Sequence, residues 1–258
     1  MAFPAVLLAA TYILIMSERI NRAVIALLAG GAAIALGMLD QKAAVAAIDF
    51  NTLALLAGTM IIVGIAKKSG VFGYIAILAA QIMRGSPAGI LAALAAVTGL
   101  FSAFLNNVTT VMLIVPVTLV ICSELRVRPY PFLFAEIFAS NIGGTATLIG
   151  DPPNILIGSA TGLSFNDFLL ELTPVVAIVF AVQIAVTHML WGRRMKTGAD
   201  DRARVMAMNA REAIVDRYLL ACSTAVLAAV ILAFVLSGPL GLRSEEHTSE
   251  LQSHLNLV

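Results

Sequence analysis

Charge is what this sequence has least of. Asp, Glu, Lys and Arg together make up 12% of its 258 residues, about half the roughly 25% of a soluble domain. A chain so poor in charge cannot cover a water-facing surface, which excludes an ordinary soluble domain. Its formal net charge is +1, so the basic excess that holds nucleic acid is also missing, and no such partner is expected. The two cysteines, Cys122 and Cys222, are isolated in apolar stretches. They read as packing residues, with no disulfide and no metal site. The sequence holds no Gly-x4-Gly-Lys-Ser/Thr loop, no His-Glu-x-x-His and no Gly-x-Ser-x-Gly. Phosphate-loop ATP hydrolysis and the common hydrolase chemistries are therefore not expected of it, and neither is a cofactor. No internal repeat of 20–50 residues is visible.

What fills the chain is apolar: 60% of residues are hydrophobic and the mean hydropathy is +0.97. Long apolar runs make this an all-α polytopic membrane protein with the lipid bilayer as its first partner. Runs at 3–16 and 20–39 flank Ser17-Glu-Arg-Ile-Asn-Arg22, and the first reads as a membrane helix rather than a signal peptide, since no basic segment precedes it. A span follows at 53–66. The piece at 71–83 is short for a span and suits an interfacial helix. Two arms, 88–105 and 108–123, hinge at Asn106-Asn107. Beyond Arg126, Arg128, Pro129 and Pro131 lies an interrupted segment at 132–160. A polar loop with Asn166, Asp167 and Glu171 leads to spans at 172–191 and 218–236, separated by a basic stretch.

Loop charge sets the orientation. If residues 17–22, 67–87, 124–131 and 192–217 are cytoplasmic, fourteen of the 16 Lys and Arg lie inside; Lys42 and Arg243 are the others. A bacterial-type inner (plasma) membrane is expected. Both ends of the two arms then fall on one side. They form a re-entrant hairpin or two full spans, and the neutral tip Asn-Asn-Val-Thr-Thr favours the hairpin. From Arg243 the chain turns abruptly polar and resembles the translation of a sequencing-library adapter. Residues 243–258 are therefore expected to be a non-native tail, and 1–242 a truncated membrane domain; a genuine soluble tail is the alternative.

The chemistry concentrates in Glu136-Ile-Phe-Ala-Ser-Asn-Ile-Gly-Gly-Thr-Ala-Thr-Leu-Ile-Gly-Asp-Pro-Pro-Asn154. Prolines and glycines of this density predict a broken helix, and irregular backbone at membrane depth survives only when buried in protein or lining a wet cavity. Ser140, Asn141, Gly143, Gly144, Thr145, Thr147, Asp151 and Asn154 here, with Asn106, Asn107, Thr109 and Thr110 at the hinge, read as one site for a small ion or anion. Helix N-termini favour an anion, and neutral side-chain and backbone oxygens suit Na⁺. Helix–helix hydrogen bonding is the structural alternative for the Asn and Thr residues. Asp151 is either a coupling carboxylate or the cap of a helix begun by Pro152-Pro153. Glu136 either carries a proton or reaches Arg126 or Arg128 at the surface, the second being favoured. His188, beside Trp191, reads as an interfacial anchor.

Two strings carry a family likeness. Phe101-Ser-Ala-Phe-Leu-Asn-Asn-Val-Thr-Thr-Val-Met-Leu-Ile-Val-Pro116 and Asn141-Ile-Gly-Gly-Thr-Ala-Thr-Leu-Ile-Gly-Asp-Pro-Pro-Asn154 resemble the two signatures of the ion transporter superfamily. That group includes arsenite efflux subunits, D-type sodium/proton antiporters, the P protein, and citrate and dicarboxylate transporters. The likeness implies one half of an inverted-repeat transporter, working by alternating access. Asn107 stands at the Asn of the dicarboxylate members' Ser-Asn-Thr tip, while Asn106 replaces the Ser and so departs from their pattern. Gly143 and Gly144 match the turn that, with Asn107, implies a Na⁺ site. A secondary transporter driven by Na⁺ or H⁺ is the expectation. Arsenite efflux with a separate ATPase subunit is the alternative within the family. An intramembrane hydrolase using Asp151, or a scaffold, are the remote ones. A homodimer would be needed if the chain were a half-size protein.

Overall fold

The computed structural model describes residues 2–237, and among them the chain is helical with no strand. The proposed tail at 243–258 lies outside the described residues. The chain forms two compact units, divided after Leu53.

The first unit holds α1 (Ala2–Met16), α2 (Arg22–Ala35), the short α3 (Gln41–Ala46) and the first turn of α4 (Phe50–Ser69). Asn21 starts α2 by accepting the Ala23 N–H at 2.9 Å. At 15 and 14 residues, α1 and α2 are shorter than a typical span.

The second unit continues α4 and adds α5 (Val71–Ile82), α6 (Pro87–Phe104), α7 (Asn107–Leu125), α8 (Tyr130–Gly144), α9 (Pro152–Thr161), α10 (Phe165–Leu190), α11 (Ala199–Ala207) and α12 (Arg217–Ser237). Their boundaries follow from local chemistry. Ser86 caps α6 with Pro87 behind it. Asn106 caps α7. Arg126 closes α7 at φ 53°, in the left-handed region. α10 starts earlier than the apolar run alone implies, because Ser164 and Asp167 form a reciprocal capping box. Asn166, Asp167 and Glu171 are therefore in its first turns, not in a loop.

The core is built around α6. Ile90, Leu91, Leu94 and Ala95 of that helix pack with Ala76 and Ala80 of α5, Ile121 and Leu125 of α7, Phe132, Ala135 and Ala139 of α8, and Val205 of α11. So α5 is not an interfacial helix. Its Phe72, Ala76 and Ala80 are buried, and it stands against α6 and α7. A second cluster joins Val63 and Ala66 of α4 to Phe72, Leu105, Leu113 and Ile114. Outward, the side chains of α10 and α12 remain apolar: Leu170 is 72% and Ile178 67% exposed. Such surfaces belong against lipid. Helices α4, α6, α7, α10 and α12 are long and apolar enough to cross a membrane.

Residues 192–216 form a strap over one end of this bundle. Arg204 donates to the Glu124 carbonyl at 3.0 and 3.2 Å and pairs with the Glu124 carboxylate at 3.4 Å. Thr197 donates to the Leu125 carbonyl, which satisfies carbonyls left over at the end of α7. Gln81 of α5 donates to the Met208 carbonyl at 2.6 Å, and the Val215 N–H to the Ser69 carbonyl at 3.0 Å. The chain segments around 69–85, 124–126 and 197–215, which charge alone assigned to one side, thus meet at one end of the unit.

Candidate functional site

Two interruptions meet inside the second unit. The first is the α6–α7 hinge. Leu105 ends α6 in extended conformation (φ −123°, ψ 156°) and Asn106 turns the chain into α7, its Oδ1 accepting the Val108 N–H at 3.0 Å. Asn107 Oδ1 accepts the same N–H at 2.7 Å, so the two Asn side chains occupy one of the donors at the start of α7. Thr110 is buried and donates back to the Asn106 carbonyl at 3.1 Å. Thr109 is half-buried on the first turn of α7.

The second interruption is the stretch 145–151 between α8 and α9. α6 holds both this stretch and the end of α8 that leads into it. Ser102 Oγ donates to the Ser140 carbonyl at 2.6 Å, and Thr147 Oγ1 donates to the Ala103 carbonyl. Ser140 Oγ bonds the Ile137 carbonyl at 2.9 Å. Gly143 is where α8 crosses α6: a Cβ there would lie 2.1 Å from the Gly99 carbonyl oxygen. Gly150 folds back on Gly144, and its Cβ would meet the Gly144 oxygen at 2.4 Å. These glycines serve close backbone approach.

The hinge itself is tied to α8 by a bond between side chains, Asn107 Nδ2 to Asn141 Oδ1 at 3.1 Å, with Asn141 Nδ2 tied to the Ile137 carbonyl at 3.0 Å. Thr145 is exposed and donates to the Ile142 carbonyl at 2.7 Å. Asn154 is buried, and its amide donates to the carbonyls of Gly144, Thr145 and Thr147 at 3.5, 3.3 and 2.9 Å. It gathers the unwound loop by its carbonyls, a role that residue type and spacing alone did not reveal.

Asp151 occupies the cap position of α9 but makes no side-chain cap bond. Pro153 at the second position of α9 has no N–H, and the Asn154 N–H donates to the Asp151 backbone carbonyl instead, at 3.0 Å. The half-buried carboxylate is left beside the loop. Glu136 does not reach Arg126 or Arg128. It is completely buried and accepts from Thr118 Oγ1, while Arg126 faces Asp201 at 3.9 Å. The turn of α7 at Arg126 points that side chain toward the strap. His188 packs its ring against Gly192, and Trp191 stacks edgewise on Tyr130 and Phe134 at 6.1 and 5.2 Å.

The hinge and the loop therefore bring Asn106, Asn107, Ser140, Asn141, Gly143, Gly144, Thr147 and Asn154 together. The chemistry is neutral oxygen from amides, hydroxyls and carbonyls, with one carboxylate nearby. Such donors fit a hard cation such as Na⁺ and lack the thiolate and imidazole ligands that zinc or copper prefers. Among the described residues no cluster of three His, Cys, Asp or Glu could hold a metal ion.

Residues 12–254 match the family model described as citrate transporter. The chain belongs to the citrate transporter family. An uncharacterised transporter of Mycobacterium tuberculosis is 49% identical over 230 residues, covering 88% of this chain and 53% of that protein. The P protein of Sus scrofa is 38% identical over 202 residues, covering 74% of this chain and 24% of that protein. The magnetosome protein MamN of Magnetospirillum gryphiswaldense is 35% identical over 225 residues, covering 85% and 52%. The chain thus spans about half the length of the bacterial relatives it matches. As a member of this family it is an integral protein of the plasma membrane and not an enzyme, which removes the intramembrane hydrolase reading of Asp151.

Proposed function

We propose that this chain supplies one ion-binding element of a secondary active transporter for a small anion, with Na⁺ or H⁺ as the coupling ion. The observation that supports it is the meeting of two backbone interruptions, 105–107 and 145–151, within a bundle of apolar helices, the hinge being bonded to the last turn of α8 through Asn107 and Asn141. Polar backbone at that depth costs several kcal/mol per unsatisfied group. The loop meets that cost through Asn154 and Thr147, leaving the Asn107, Asn141 and Thr145 oxygens beside it.

In this reading Na⁺ is held by oxygens of Asn107 and by the carbonyls around Gly143 and Gly144. Asp151 stands near enough to the loop to respond to the bound charge. The loop moves relative to the α6–α7 hinge during alternating access, with the hinge re-entrant and the strap on the cytoplasmic side. The family's description makes citrate the first substrate class to try. No observation favours an arsenite channel with a separate ATPase.

The test uses the protein as its native gene encodes it, reconstituted in proteoliposomes, with citrate uptake followed under an imposed Na⁺ or proton gradient. Gradient-driven uptake that falls at least tenfold in Asn107→Ala, with folding intact, is the expected result. Wild-type protein that moves neither citrate nor a related carboxylate under any gradient would overturn the proposal.

A further inference from the structure

Helix α8 carries one polar group that the loop and hinge do not use. Glu136 lies about two helical turns before Gly143 and one turn before Ser140, which is also buried. Its Oε1 accepts from Thr118 Oγ1 of α7, and its Oε2 has no hydrogen-bond partner. No cation faces it. Helix α6, which packs most extensively on α8, has no titratable residue. Helix α7 brings Thr118 and, one turn on, Cys122, whose thiol is close enough to interact with the carboxyl electrostatically. Helix α10 offers neutral Gln183, which bonds the Ala135 carbonyl at 3.2 Å, while its His188 lines a separate small cavity with Ala135 and Leu91.

A carboxylate has two oxygens and about four acceptor sites to satisfy, and removed from water it needs a counter-charge. A carboxylic acid needs less: it carries no charge, Thr118 donates to its carbonyl oxygen, and an unpaired O–H on Oε2 costs less than an unpaired buried carboxylate. The surroundings of Glu136 therefore match the neutral acid. Helix α8 is also the rigid element that ends at the loop. It is locked to α6 at Ser102–Ser140 and Gly99–Gly143, so movement of the loop is felt along it.

We propose that Glu136 is a proton-binding site, loaded in the arrangement described here. It releases its proton to water when α8 shifts against α7 far enough to hydrate Oε2. The step breaks and forms only O–H bonds. The coupling of this proton to transport rests on the transporter reading above; its presence on Glu136 does not.

The two are separable by experiment. Infrared spectra of the protein in lipid bilayers should show a carboxylic-acid C=O band at neutral pH that disappears in Glu136→Gln and persists in Asp151→Asn. Thr118→Val should keep the band but shift it, since the hydroxyl donor is gone. This second variant guards against misfolding in the first. A wild-type spectrum without that band, or a band unchanged by Glu136→Gln, would overturn the proposal. In proteoliposomes, Glu136→Gln should lose the response of uptake to a proton gradient. A response equal to wild type would overturn the coupling. Absence of all uptake by the wild type would sink the transporter reading, and the infrared band would still decide the proton site.

Discussion

Gly143→Ala is the substitution whose consequence follows most directly from the packing. The added Cβ would stand 2.1 Å from the Gly99 oxygen, 2.6 Å from its carbonyl carbon and 2.7 Å from its Cα. Ordinary C···O contacts begin at about 3.3 Å, so α8 must back away from α6 by about 1 Å. The obstacle is backbone, and no rotamer change relieves it. The Ser102–Ser140 bond, 2.6 Å long, resists the movement. Overpacking of this kind costs about 1–3 kcal/mol, and here the upper end applies. Alanine's better helix propensity returns up to about 1 kcal/mol. The net loss is about 2 kcal/mol, or roughly 25-fold in the unfolding equilibrium. Two controls bracket it. At Gly99 the added Cβ meets ring atoms of Phe180 at 2.5 and 2.8 Å; a ring can turn, so the loss should be about half as large. At Gly64, in α4, nothing lies within 4 Å, so alanine should be neutral or slightly stabilising. The assay is unfolding in mixed micelles, followed by the fluorescence of Trp191, the only tryptophan, which packs on Tyr130 and Phe134 at the start of α8. Equal midpoints for the Gly143 and Gly64 variants would refute the reasoning.

Asn154→Ala should strip the loop of its internal donor, costing about 1–3 kcal/mol, and hydrogen exchange of the 145–151 amides should accelerate while that of α6 is unchanged. Gly70→Ala should release the strap, because Gly70 sits at φ 83° with the Ala213 oxygen 1.7 Å from the position of a Cβ; limited proteolysis between 208 and 216 reads this out. A double-mutant cycle on Asn107 and Asn141 should return a coupling no larger than about 1.5 kcal/mol, since the bond between them is neutral and exposed.

The helices and the two interruptions were legible in the sequence for the same reason: apolar length declares a span, and Pro, Gly and Asn inside such a length declare a break. The break appears at 145–151 and the hinge at Asn106, both inside the segments that composition marked. What the sequence left open depended on partners far along the chain. Sequence reasoning favoured a surface partner for Glu136, Arg126 or Arg128, and only the folded chain shows it buried against Thr118 of α7. The short apolar stretch 71–83 looked interfacial because length says nothing of burial, and its Ala76 and Ala80 are small enough to let α6 close over them. Asn154 appeared as a candidate ligand because its amide type is right. Its three carbonyl partners show an organising role instead, and only the folded loop could supply them. The capping box at Ser164 was readable in principle, since Ser-x-x-Asp before an apolar run is a start signal.

The transporter reading requires the loop after α8 to face a wet, ion-binding space within an otherwise lipid-embedded bundle. Its most direct test is cysteine accessibility in bilayers, with Cys122 and Cys222 replaced. Thr145→Cys should react rapidly with a water-soluble thiol reagent and be slowed by Na⁺ or by citrate, while Ile178→Cys, on the apolar face of α10, should react slowly and without such protection. Equal rates at the two positions, indifferent to Na⁺ and to citrate, would contradict the claim.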